Sequence, residues 1–246
     1  MTDTQPRSPF SRPGFIASAV VIGVIVLAAI VVLVTSIVNG NNGDVDATPT
    51  PSVSAPTSPS ESAEPTEDPA DASVCGLEGF EEESSLDAAP TDEWDLVGTV
   101  AAPFDPEGSG PGLVDATGFR SCFAHTAEGA LYAASNMLAM GSDARLQPLL
   151  ADRAAVPGPG RDAAMEAPPS STQFRYQISG YKVTYTATQA TVDLLVTGSG
   201  GELVSVPFLL QWSEGDWKTV LTDDGQQALP SAALQNPGGY TTWAGA

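Results

Sequence analysis

The chain has 246 residues, 42% of them apolar, enough for one or two domains, and carries 9 Lys and Arg against 30 Asp and Glu, a formal charge of −21. Every charged side chain between Asp44 and Asp115 is acidic, so this stretch repels nucleic-acid phosphates and anionic lipid headgroups, and nucleic acid is excluded as a partner. A single His and two Cys leave no multi-His or Cys-cluster metal site, and no cofactor is expected.

In chain order, residues 1–13 form a short tail with Arg7 and Arg12, and residues 14–38 are continuously apolar apart from Ser18, Thr35 and Ser36. A run of that length spans a bilayer as a helix, because the backbone must satisfy its own hydrogen bonds in lipid. The next cation is Arg120, so the positive-inside rule predicts a cytoplasmic tail, a transmembrane helix at 14–38 and an extracellular remainder, a single-pass protein of the cell membrane. The alternative is a cleavable signal peptide, although the run is long for one and lacks an Ala-x-Ala site.

Residues 39–73 are built from Pro, Ser, Thr, Ala and acidic residues and read as a disordered linker. It serves as a solvated spacer or as an acidic docking site for a basic partner. Residues 74–112 contain Trp94 and Phe104 without a clear period and read as an extended arm. Cys75 and Cys122 form an even pair in a chain placed outside the cell, which predicts a disulfide; a reactive thiol pair is the alternative, without Cys-x-x-Cys spacing to support it.

The domain is expected at 113–246. Thr126 or His125 caps a helix at 127–140, where Ala130, Leu131, Ala134 and Leu138 recur at helical spacing, and Gly141 is placed to end it. A second helix is expected at 143–154 with Ser142 as its cap, and a further turn at 162–166. Beyond residue 169 the period changes to two. Strands are expected at 174–185 with a bulge or bend at Gly180, at 191–196, at 203–212 and at 217–221. Helices followed by four antiparallel strands make an α+β class.

Chemistry-bearing arrangements are sparse. His125 sits at a helix start, where a capping or hydrogen-bonded role competes with a Ser-His-Asp role. Gly108–Gly112 lacks the strand and Lys-Ser/Thr of a phosphate loop, and Asp223-Asp224 and Glu81–Glu83 lack EF-hand spacing. Asp193 with Tyr181 or Tyr185 is the one acid–base pair worth weighing, although strand alternation turns Asp193 away from Val192 and Leu194.

The order helix, helix, short helix and four strands, closing on Gln211-Trp212-Ser213-Glu214-Gly215-Asp216-Trp217-Lys218, resembles the NTF2-like (cystatin-like) cone. Gly118-Phe119, His125-Thr126, Glu128-Gly129-Ala130, Ala133-Ala134, Asn136 and the closing Gly239-Tyr240 to Trp243 are similar to a group of actinobacterial membrane-anchored proteins of unknown function. That group is distantly similar to TcpC-type conjugation and type IV secretion subunits. The resemblance implies a curved four-stranded sheet over helices and no catalytic residue. It implies a non-enzymatic, membrane-anchored envelope scaffold or assembly subunit of a conjugative or mobile-element apparatus. Its partners would be the bilayer through 14–38, membrane or envelope proteins and further copies of itself. A binding module holding a small ligand or peptide in the cone is the second reading, and a pocket enzyme the third. His125, Tyr240 and Trp243 are candidate interaction residues.

Overall fold

The computed structural model describes residues 72–84, 86–91, 93–168 and 175–245; the tail 1–13, the segment 14–38 and nearly all of the linker 39–73 lie outside the described residues. Among the described residues ten strands and three helices follow in order: β1 (Glu93–Val97), β2 (Val100–Phe104), β3 (Leu113–Val114) and β4 (Arg120–Ser121), then α1 (Ala127–Gly141), α2 (Gln147–Ala154) and α3 (Pro159–Glu166). The sheet strands are β5 (Tyr176–Thr186), β6 (Gln189–Gly198), β7 (Leu203–Ser213), β8 (Asp216–Thr219), β9 (Ala232–Leu234) and β10 (Thr241–Thr242).

β5 to β8 form an antiparallel meander, as the period-two residues require, with the register shifting between Ile178 and Gly180. One face carries Val183, Val192 and Phe208 in register, with Tyr185, Ala190, Leu210 and Thr219 as the next row. This inner face packs against α1, which buries nearly its whole length, including Leu131, Tyr132 and Met140. α1 starts at Thr126, whose side chain accepts a hydrogen bond from the Gly129 N–H at 3.0 Å. Its end departs from expectation: Gly141 is its last residue, and Ser142 closes it at φ −82° with its N–H bonded back to Ala139 and Met140. α2 therefore begins only at Gln147, without a side-chain cap, and α3 extends upstream to Pro159.

The expected cone of helices on a four-stranded sheet with a transmembrane helix is corrected. The sheet has six strands, in the order β10-β5-β6-β7-β8 with β9 also paired to β7, and hairpins β1–β2 and β3–β4 lie outside it. The tail supplies both extra strands. Ala232 pairs with Ser205 at one edge and Thr242 with Gly180 at the other, and Leu195 lies between these two positions in the same cross-strand row. The connecting residues cross the outer face, where the Tyr240 hydroxyl donates to Asp193 Oδ2 at 2.6 Å. Strands of two and three residues in a Gly- and Pro-rich tail carry no alternation, so their sequence does not announce them. Pro207 costs no ladder bond because it falls between the β9-paired stretch 203–205 and the β8-paired stretch 210–213.

The single-pass cell-membrane placement is corrected as well. Among the described residues no helix is long and apolar enough to cross a membrane, and residues 14–38, on which the expectation rested, lie outside them.

The β1–β2 hairpin docks on α1 and buries Val97, Val100 and Ala102. The Asn136 amide donates to the Pro103 carbonyl at 3.1 Å, and Arg120 bridges Asn136 to Asp95. Ser142 Oγ accepts from the Thr99 N–H at 2.9 Å, tying the hairpin turn to the end of the helix.

Candidate functional site

Cys75 and Cys122 are joined by a disulfide with Cα atoms 6.1 Å apart, which fixes residues 72–80 to the domain. The bridge continues inward. Cys122 has φ 65°, and its N–H and that of Phe123 donate to the two carboxylate oxygens of Asp216 at 2.8 and 2.9 Å. Asp216 is half-buried, and the loss of hydration there pushes its carboxyl up to about 6 even though three backbone N–H groups favour the ionised form.

His125, a candidate contact residue, is 2% exposed. Its ring stacks on Trp212 at 3.8 Å, meets Phe80 and Trp217 edge-on, and donates from Nε2 to the Ala187 carbonyl. Trp217 is equally enclosed and donates from Nε1 to the Ala124 carbonyl at 3.0 Å. Trp243 is 4% exposed and fills a second aromatic corner with Trp94, Tyr132 and Tyr181, donating to the Pro90 carbonyl. Tyr240 lies half-buried on the outer face beneath Lys182, whose Nζ is 3.8 Å from its ring centre. In this fold His125 and Trp243 are packing groups, and Tyr240 latches the tail.

The acid–base pair does not assemble. Asp193 lies on the outer face, accepting from Ser205 Oγ at 2.7 Å and from Tyr240, whereas Tyr181 and Tyr185 point to the inner face and donate to the Ala88 and Glu81 carbonyls. Among the described residues there is no group of three or more His, Cys, Asp or Glu that could hold a metal ion. A hollow of about 590 Å³ is lined by Glu81, Asp87 and Glu128 beside the start of α1. Two of those carboxylates already serve the fold, Glu81 accepting from the Ala127 N–H and Glu128 from Ser109 Oγ.

The site that sequence reasoning missed lies between the other end of the sheet and the two short helices. α2 buries only Ala154 and α3 only Gly160, so both stand off the sheet rather than closing on it. The space beneath is a cleft of about 640 Å³. Val206 and Phe208 form its floor and Met137 and Leu138 of α1 its inner wall. Ala151, Ala154, Ala155, Ala164 and Ala167 line the helical side, where larger residues would have filled it.

Backbone contacts tie the helical side of the cleft to the sheet. The Val156 N–H donates to the Thr219 carbonyl at 2.9 Å, pinning the α2–α3 connection to β8. Gly160 and Gly225 let α3 touch the loop after β8, since a Cβ at Gly160 would lie 2.5 Å from the Thr222 carbonyl oxygen and one at Gly225 2.7 Å from the Ala164 nitrogen. Among the described residues the polar side chains of the lining are Gln147, Gln227 and Thr219, the last two in contact at 3.4 Å, and none of its described side chains is ionisable.

A family model matches residues 54–242, more than half of the chain, and is described as a domain of unknown function, DUF8175. The chain belongs to that family. The matched span contains the disulfide and every helix and strand among the described residues, so the described lining of the cleft falls within the family domain. No curated protein and no solved structure matches the chain.

Proposed function

We propose that this domain is a non-enzymatic binding module whose ligand occupies the cleft between α2, α3 and strands β7–β8. One observation carries the reading: a cleft of about 640 Å³ has apolar walls, and backbone contacts tie its helical side to the sheet. Ligand sites fall at about 300–1,000 Å³ and pair apolar walls with a few polar groups. The arrangement favours binding over catalysis because Asp193 and the two tyrosines that could work with it lie on opposite faces of the sheet.

The second reading, a scaffold or assembly subunit of a conjugative or mobile-element apparatus, comes from the sequence resemblance. It would draw on the exposed Leu113 and Val114 of β3. Titration with the neutral fluorophore N-phenyl-1-naphthylamine separates the two. The binding reading expects one saturable site, weakened about tenfold or more by Ala151→Phe, with Ala164→Phe as a second filling variant. Failure of the folded protein to take up the probe, together with self-association in sedimentation equilibrium that Leu113→Asp abolishes, would replace it with the assembly reading.

A further inference from the structure

Resting on the cleft as the binding site, we infer that its ligand is uncharged: an apolar body carrying at most a hydroxyl or carbonyl head. Three features of the lining point this way. The walls are Ala, Leu, Met, Val and Phe, with Gln147, Gln227 and Thr219 as the side-chain hydrogen-bonding groups. An amide or a hydroxyl satisfies an uncharged oxygen well, but offers a carboxylate or an ammonium only neutral dipoles in place of its hydration shell. No charged side chain is among the described lining residues, and two cations next to it in sequence are paired away from it. Arg153 pairs with Asp115 at 2.6 Å and lies over Phe119, and Lys218 pairs with Glu214. Among the described lining residues no side chain offers a counter-charge to an ionised head.

The methionines add a second specification. Met137 on α1 and Met165 on α3 both belong to the lining, and Met165 is half-exposed. An unbranched thioether chain re-packs around differently shaped surfaces more readily than a branched one. The site therefore suits a flexible or irregular hydrocarbon better than a rigid one of fixed outline.

The chain's charge of −21 supplies a competing explanation for any rejection of anions, because a negative field repels them wherever they would bind. The two causes differ in what they do to cations. Desolvation rejects both signs of charge, whereas the field attracts ammonium, and at about 1 M salt the field is screened within about 3 Å.

The experiment displaces N-phenyl-1-naphthylamine from the full chain with dodecanol, dodecanoate and dodecylammonium, in about 0.1 M and 1 M salt. The inference expects dodecanol to compete at least about tenfold more tightly than either ion in both salts. Dodecanoate binding as well as dodecanol, or dodecylammonium binding better, overturns the uncharged-ligand inference while leaving the cleft as the site. Absence of saturable probe binding overturns the binding reading itself, so the two failures are distinct.

Discussion

The two ends of the sheet's inner face are packed by opposite means. At one end Trp212 and Trp217 face each other across β7 and β8, His125 stacks against Trp212, and α1 closes over them with almost every residue buried. At the other end Val206 and Phe208 meet alanines on two helices of 8 residues, each with a single buried residue. Large flat side chains fill space and fix geometry; short ones hung from a pinned backbone leave a cleft. The same sheet therefore has a filled end and an open end.

The largest expected effect lies at the filled end. Trp217→Ala removes a fully enclosed ring and its hydrogen bond to Ala124, and is expected to cost about 3–5 kcal/mol in chemical denaturation. A loss under about 1 kcal/mol would mean that the aromatic end does not hold the domain. Next comes the disulfide, which closes a separation of 47 residues. Replacing Cys75 and Cys122 together by Ala is expected to cost about 2–4 kcal/mol, and reductant should lower the melting temperature of the native chain but not of the double variant.

Asp216 gives a pH signature with a definite sign. Its carboxyl is held up to about 6 in the fold, above its ordinary value of 3.8. Between these values the folded chain keeps a proton that the unfolded chain has released. Stability from this group is therefore present below about pH 4 and is lost as the pH rises through about 6, a change of about 2–3 kcal/mol. Asp115, Asp143 and Glu214 are held below their ordinary range by Arg153 and Thr117, Arg145 and Lys218, so their contributions fade at more acid pH, in the opposite sense. Denaturation of Asp216→Asn between pH 4 and 6 should lack the downward slope of the native protein. Parallel slopes would show that this carboxyl does not titrate there.

The smallest stability change is expected in the hollow end. Ala151→Phe fills open space and should shift stability by less than about 1 kcal/mol in either direction while weakening probe binding about tenfold or more. A loss of several kcal/mol would mean that the cleft is tighter than its walls suggest.

The main strands and α1 were largely readable in the sequence, because periodicity records burial along a single element. Val204, Val206, Phe208, Leu210 and Trp212 alternate strictly and form β7, and Thr126 caps α1 as its type and position require. Features made by contacts between distant segments were not readable. β9 and β10 exist because the tail reaches two sheet edges, and Trp243 is buried because Pro90 and Trp94 come to meet it. The cleft left a faint trace. From Ala151 to Pro168 the only large apolar side chains are Val156 and Met165, a composition too small to fill the space over a sheet. Read from sequence alone, that trace is hard to separate from a loop-rich connection.

The most direct test of the account is a titration of the full chain with N-phenyl-1-naphthylamine, run in parallel on Ala151→Phe after both are shown by circular dichroism to be folded. The account predicts one saturable site in the native chain and an affinity at least about tenfold weaker in the variant. Equal binding by the two proteins, or no saturable binding by the native chain, would contradict it.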